Sequence, residues 1–177
     1  KGGNYLEALN KVSTVVMDKT GTLTKGIFKV TEINVSDSEW SKDELLKYTA
    51  YAESFSNHPI AYSIVEEYEK NHEKINKALI SDFEEISGYG IKVTADGRKI
   101  TAGNAKLMNK ENISFTESEE AGTVIYVAAD GKYVGNILIA DEIKEDSMKA
   151  VEEMKKNGVK EVVMLTGDTK KIGESIA

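Results

Sequence analysis

Two segments of this sequence share one pattern, a short β-branched run that ends in a polar loop containing an aspartate. The first run, residues 14–17, leads directly into Asp18, and the second, "EVVMLTGD", ends at Asp168. β-Branched residues favour strands, and a predicted helix over residues 144–157 precedes the second run. We therefore predict two parallel strands, and ligands of such sheets bind beyond the carboxyl ends of the strands, where both aspartates lie.

The segment between these two units has a different pattern. Residues 27–35 alternate loosely as a strand, residues 41–44 form a capping box, and Pro59 suits the first turn of another helix. Asp-Gly pairs at 96–97 and 130–131 are typical of tight hairpin turns. The sequence thus predicts an antiparallel α+β block inserted between the two parallel strands.

Asp18 has two interpretations. A carboxylate can attack phosphorus as a nucleophile and form an acyl phosphate, and such a site needs cationic and hydrogen-bonding groups around it. The loop offers the ammonium of Lys19, the hydroxyls of Thr20 and Thr22, and the backbone amides near Gly21, with the Thr166 hydroxyl on the second loop. The alternative is a turn in which Asp18 acts as an N-cap and Lys19 forms a surface ion pair.

The residue two positions after Asp18 is informative. Phosphatases built on an aspartate nucleophile carry an acid there, which protonates the leaving group and then assists water. Here the position is Thr20, a poor acid–base group near neutral pH. We therefore expect an acyl phosphate on Asp18 to persist.

Composition excludes several classes of function. The chain has 177 residues, with 23 basic and 30 acidic side chains and a net charge of −7, which argues against nonspecific binding to nucleic acid or anionic membrane. Without cysteine there is no disulfide, thiolate metal site or cysteine nucleophile. No apolar run approaches the roughly 18 residues of a membrane span, and no signal peptide opens the sequence, so we expect this chain by itself to be soluble.

Several motifs carry a family resemblance. "DKTGTLT" at 18–24 and "MLTGD" at 164–168 resemble the phosphorylation motifs of P-type ATPases. "ESFSNHPIAYSI" at 53–64 resembles the histidine–proline signature of the heavy-metal-transporting (type IB) branch, and "GYG" at 88–90 and "GN" at 103–104 resemble its glycine motifs. "KGGNYLE" and "DKTGTLTKGIFKV" are more similar to zinc/cadmium-type than to copper-type members.

The resemblance implies an α/β fold: an incomplete Rossmann-like, haloacid-dehalogenase-like phosphorylation domain with an inserted α+β antiparallel-sheet nucleotide-binding domain. It places the phosphorylation domain at residues 1–26 and 140–177, truncated before a GDGxND motif, and the nucleotide-binding domain at 27–139.

The resemblance also implies residue roles. ATP would phosphorylate Asp18, with support from Lys19 and Thr20, and Asp18 and the Thr20 carbonyl would bind Mg²⁺. The residues implied to close over the phosphate are Thr166, Gly167 and Asp168. The residues implied at the ATP pocket are Glu53 and His58 at the adenine end, with Gly88, Gly90, Gly103 and Asn104 shaping it. A packed turn residue is the alternative for His58, whereas His72 lies in a polar run and is expected to be solvated.

The implied function is the ATP-binding and aspartyl-phosphorylation region of a pump that couples ATP hydrolysis to heavy-metal cation export. Two alternatives are a haloacid-dehalogenase-like phosphatase with a cap domain and a nucleotide-binding module that is inactive by itself. The expected partners are ATP and the transmembrane and actuator domains of the full-length protein; nucleic acid is not expected, and the transported ion is not bound by this chain. The expected location is the cytosolic side of a prokaryotic plasma membrane. We also expect this chain to bind ATP but to incorporate little ³²P at Asp18.

Overall fold

The computed structural model describes residues 3–118, 120 and 122–165. The chain divides into two compact units, one formed by Lys1–Ile27 with Asp141–Ala177 and the other by Phe28–Ala140. In chain order the elements are α1 (Gly3–Leu9), β1 (Thr14–Asp18), β2 (Thr24–Val35), α2 (Lys42–Glu53), α3 (Pro59–Glu69), β3 (Ile80–Ile86), β4 (Gly90–Ala95), β5 (Arg98–Gly103), α4 (Ala105–Lys110), β6 (Thr123–Ala129), β7 (Lys132–Ile143), α5 (Ser147–Lys156) and β8 (Glu161–Leu165).

The first unit contains the predicted parallel pair. β1 and β8 run in parallel, with Val16 opposite Val163 and Asp18 opposite Leu165. The prediction that the two β-branched runs are parallel neighbours is confirmed. The predicted site residues Thr166, Gly167 and Asp168, which follow β8 in the sequence, lie outside the described residues.

α5 begins at Ser147 rather than at the predicted residue 144. The amide of Lys144 donates to the Leu23 carbonyl at 3.0 Å, and the amide of Ser147 donates to the Lys144 carbonyl at 3.1 Å. The second bond closes a turn over residues 144–147, and the first ties the start of this turn to the loop that follows Asp18.

The second unit is built on a six-stranded sheet in the order β2-β7-β6-β5-β4-β3. The neighbours from β3 to β7 are antiparallel. Both predicted hairpin turns are confirmed. The φ angles are 50° at Asp96 and 81° at Gly97, and they have the same values at Asp130 and Gly131. These are the positive angles that a tight hairpin turn requires.

α2 packs against α3 and against β3, β4 and β5 of this sheet. Its capping box is confirmed: the Glu44 amide donates to Ser41 Oγ at 3.1 Å, and the Ser41 amide donates to Glu44 Oε2 at 3.0 Å. Pro59 occupies the first turn of α3, as predicted. The core between helices and sheet includes Leu45 and Ile64, which are fully buried.

The predicted functional assignment of the segments 1–26, 27–139 and 140–177 stays a prediction, because compactness does not test function. Within the described ranges, no helix combines the length and apolar character that a membrane crossing requires.

Candidate nucleotide-binding and phosphorylation sites

One cavity of about 240 Å³ in the second unit brings together residues from the end of α2, the start of α3 and the strands β3 to β6. The predicted ATP-pocket residues lie up to 51 positions apart in the sequence, from 53 to 104. All of them line this cavity: Glu53, His58, Gly88, Gly90, Gly103 and Asn104. The fold therefore places these side chains and glycines around one concave surface of the kind that small ligands occupy.

His58 is the N-cap of α3. Its Nδ1 accepts a hydrogen bond from the Ile60 amide at 3.2 Å, and its own amide donates to Ser56 Oγ at 3.2 Å. Because Nδ1 is the acceptor, the neutral ring carries its proton on Nε2. The ring itself is exposed and lines the cavity, so His58 is not a packed turn residue.

Glu53, the last residue of α2, is only 7 % exposed and lines the same cavity. Burial, together with the smaller effect of the nearby charge of Glu85, raises the pKa of its carboxyl to about 7. Among the described residues, none forms a hydrogen bond or ion pair with the Glu53 carboxyl, whereas the backbone carbonyl of Glu53 accepts from the Ser56 amide at 2.9 Å. Near neutral pH this carboxyl can therefore both donate and accept hydrogen bonds toward a ligand.

Gly90 and Gly103 lie opposite each other in the β4–β5 pair, where the two backbones approach closely. A Cβ on Gly90 would lie 2.2 Å from the Ala102 carbonyl oxygen, and one on Gly103 would lie 2.3 Å from the Tyr89 carbonyl oxygen. These glycines are required by the close approach of backbone that forms one wall of the cavity.

Asn104 joins this wall to the start of α4. Its Oδ1 accepts from the Leu107 amide at 3.2 Å, its Nδ2 donates to the Gly88 carbonyl at 2.8 Å, and its backbone amide donates to the Tyr89 carbonyl at 2.9 Å. The side-chain amide thus caps α4 and fixes the segment that contains Gly88.

In the first unit, Asp18 is exposed at the carboxyl end of β1. It precedes the turn at Lys19–Leu23, but its side chain makes no capping hydrogen bond, so the N-cap interpretation does not fit. Lys19 is only 8 % exposed and is therefore not a surface residue. Thr20 and Thr22 are exposed beside the carboxylate in this loop.

Three residues that were not predicted from the sequence, Thr24, Asp141 and Lys144, brace this loop. The fully buried Thr24 hydroxyl accepts from the Gly21 amide at 3.2 Å and lies 3.0 Å from the Lys19 carbonyl and 2.5 Å from Asp141 Oδ2. Lys144 Nζ donates to the Gly21 carbonyl at 2.7 Å. A signal for Asp141 exists in the sequence, since it ends an apolar run just as Asp18 does.

The donors in this loop fit Mg²⁺. This ion is usually held by one or two carboxylates and substrate phosphates, with water completing its octahedron, rather than by an all-protein cage. In the part of the chain that the structure describes, no three or more histidine, cysteine, aspartate or glutamate residues are grouped so that they could hold a metal ion by themselves. An exposed carboxylate at Asp18 and a backbone carbonyl at Thr20 are oxygen ligands of the required kind.

The sequence is similar to those of known proteins. A family model described as haloacid dehalogenase-like hydrolase matches residues 12–177. A cadmium, zinc and cobalt-transporting ATPase of Bacillus subtilis is 51 % identical over 99 % of this chain, which spans only 24 % of that relative's length.

Solved structures show the same likeness. A zinc-transporting PIB-type ATPase in its E2.Pi state has 30 % identity and a TM-score of 0.75, over 99 % of this chain and 29 % of that one. The catalytic domain of a CPx-ATPase, studied for its changes on nucleotide binding, has 26 % identity and a TM-score of 0.72, over 99 % of this chain and 62 % of that one.

Proposed function

Because the chain belongs to the haloacid dehalogenase-like hydrolase family, with heavy-metal P-type ATPases as its relatives, we propose that it is the ATP-binding and aspartyl-phosphorylation region of such a pump. The supporting observation is that the six residues of the predicted ATP pocket line one cavity. The predicted resemblance to heavy-metal-transporting ATPases of the zinc/cadmium type agrees with the names of these relatives.

The cavity is proposed to bind the adenine end of ATP. His58 presents an exposed ring with a donor at Nε2, and Glu53 presents a carboxyl whose pKa of about 7 lets it hydrogen-bond to both donors and acceptors of a base. Gly90 and Gly103 keep the opposite wall free of side chains, and Asn104 fixes that wall in position.

Phosphoryl transfer is proposed to occur at Asp18. A carboxylate oxygen attacks the γ-phosphorus of ATP, the bond from this phosphorus to the bridging oxygen breaks, and ADP leaves while Asp18 carries the phosphoryl group. Lys19 and the hydroxyls of Thr20 and Thr22 supply charge and hydrogen bonds to the transferred group. Thr166, Gly167 and Asp168 are proposed to close over it.

Asp18 and the Thr20 carbonyl are proposed to hold Mg²⁺. The ion would neutralise charge on the phosphoryl oxygens while transfer takes place. Thr24 and Asp141 hold the loop that carries both ligands, through the hydrogen bonds described above.

In the whole protein, ATP hydrolysis is proposed to drive export of a heavy-metal cation, with transmembrane and actuator domains as the partners of this region. The transported ion would bind in the membrane and not to this chain. The chain itself is proposed to lie on the cytosolic side of a prokaryotic plasma membrane.

Titration calorimetry of the 177-residue chain with ATP tests the proposed pocket. We expect His58→Ala and His58→Asn to weaken binding by about tenfold, which corresponds to the loss of one ring contact with a base. Asn is a good N-cap, so His58→Asn keeps the cap and removes only the ring. Unchanged affinity in His58→Asn would show that the ring does not contact the nucleotide, and a chain that binds no ATP would refute the proposal.

A further inference from the structure

Tyr89 presents an aromatic surface at the cavity wall. It lines the cavity and is 38 % exposed. Its amide donates to the Ile86 carbonyl at 2.9 Å, and its carbonyl accepts from the Asn104 amide at 2.9 Å. Because this backbone is fixed on both sides, only the two side-chain torsions of Tyr89 remain to be ordered when a ligand packs on its ring.

Lys110 lies against this ring. Its Nζ is 5.2 Å from the centroid of the Tyr89 ring, within the range of a cation–π contact. Lys110 is the last residue of α4, the helix that Asn104 caps at its other end. Among the described residues no carboxylate pairs with Lys110, whereas the adjacent Glu111 pairs with Lys92 at 2.8 Å. The Lys110 charge is therefore available to a ligand.

The cavity is lined by acidic residues, so a nearby cation is needed to bind a negatively charged ligand. The acidic residues that line it are Glu53 and Glu85, and no lysine or arginine is among the described lining residues. A nucleotide carries its negative charge on the phosphates, which proteins neutralise with cations or metal ions. Lys110 is a cation that touches a residue of the cavity wall, and so it can offset this acidic lining.

Building on the proposed function, we propose that Tyr89 and Lys110 form a nucleotide-binding pair. The Tyr89 ring packs against the nucleoside, while the Lys110 ammonium binds the phosphates. The pair thus links recognition of the base and sugar to recognition of the phosphate charge. If Lys110 served only to support the ring, its removal would affect ligands with and without phosphates equally.

Titrations with ATP, ADP, AMP and adenosine separate these roles. We expect Lys110→Met to weaken ATP binding roughly fivefold, to weaken AMP binding less and to leave adenosine binding unchanged, with a smaller effect at high salt. Tyr89→Leu should weaken the binding of all four ligands by a similar factor, roughly fivefold. Tyr89→Phe keeps the ring and should keep most of the affinity. Lys106→Met is the matched control, since Lys106 is an exposed lysine of the same helix without the ring contact.

The outcomes are distinct. Equal losses for adenosine and ATP in Lys110→Met, or equal losses of ATP affinity in Lys106→Met and Lys110→Met, would overturn the assignment of Lys110 to the phosphates. If His58→Asn weakens ATP binding while Lys110→Met and Tyr89→Leu do not, the proposed role of Tyr89 and Lys110 is wrong. The proposed nucleotide-binding function of the cavity is then still supported. If the unaltered chain binds none of the four ligands, the proposed function itself fails.

Discussion

The hydroxyl of Thr24 and the carboxylate of Asp141 lie 2.5 Å apart, although 117 positions separate them in the sequence. Thr24 is fully buried, and its hydroxyl also contacts the Lys19 carbonyl and the Gly21 amide. One side chain thus fixes the start and the middle of the loop after Asp18. The nucleophile is exposed, but the loop beside it is held by buried hydrogen bonds.

Thr24→Val should destabilise the chain by about 2–4 kcal/mol, because the substitution keeps the shape but leaves buried polar groups without their partner. Urea unfolding measures this change. Thr22→Val is the control: Thr22 is exposed in the same loop, and its substitution should change stability by less than about 0.5 kcal/mol. Thr24→Ser should recover most of the loss, and equal stabilities of Thr24→Val and Thr22→Val would contradict the bracing role.

His58 should contribute to the stability of α3 as well as to the pocket. Loss of the bond from the Ile60 amide to His58 Nδ1 should make His58→Ala about 1 kcal/mol less stable than the unaltered chain. His58→Asn should remain within a few tenths of a kcal/mol of it, since asparagine caps well. Thermal unfolding of the three proteins checks this, and an His58→Asn variant as unstable as His58→Ala would count against the cap.

The stability of the chain should depend on pH through Glu53. Its pKa rises from 4.5 to about 7 on folding, so the folded state holds a proton that the unfolded state has lost between these values. The stabilisation of the folded state by this bound proton is fully present below pH 4.5 and is lost as pH rises through 7. Because a shift of this size corresponds to about 3 kcal/mol at most, Glu53→Gln should gain up to that much stability relative to the unaltered chain between pH 4.5 and 8.

Unfolding by urea at several pH values measures this difference. Glu85→Gln removes the second cause of the shift, so it should reduce the pH dependence without abolishing it. A stability difference between Glu53→Gln and the unaltered chain that is flat from pH 4.5 to 8 would show that the carboxyl does not titrate in this window.

Asn104 should act by holding the cavity wall. Asn104→Ala loses the cap of α4 and the bond from Nδ2 to the Gly88 carbonyl, which together should cost about 1–3 kcal/mol of stability. ATP affinity should fall as well, because Gly88 is no longer fixed. Asn109→Ala, an exposed asparagine of the same helix, is the control in urea unfolding and in titration, and similar losses in both variants would disprove this role.

Much of the fold could be predicted from local patterns. The β-branched runs before Asp18 and Asp168, the capping box at Ser41 and the Asp-Gly turns each specify a local geometry, and the described parts of all of them are observed. The start of α5 could not be predicted, since the amide of Lys144 is bonded to Leu23, far away in the sequence.

The environment of individual side chains was less predictable. The raised pKa of Glu53 depends on burial and on Glu85, which only the folded sheet brings near. His72 was expected to be solvated but is partly buried. Its ring stacks on the Tyr68 ring with 4.5 Å between the ring centroids, and its Nε2 lies 3.1 Å from a carboxylate oxygen of Asp43. These contacts depend on how α2 and α3 pack, and no short motif encodes that.

Binding of ATP in the cavity of the second unit is tested most directly by NMR of the ¹⁵N-labelled chain during an ATP titration. We predict that the amide signals that shift are those of the cavity: Glu53, His58, Gly88, Gly90, Gly103 and Asn104. Signals from a separate hollow of the same unit should stay in place, among them Ser36, Asn112 and Lys132. Shifts centred on that hollow, or no shifts at millimolar ATP, would contradict the account.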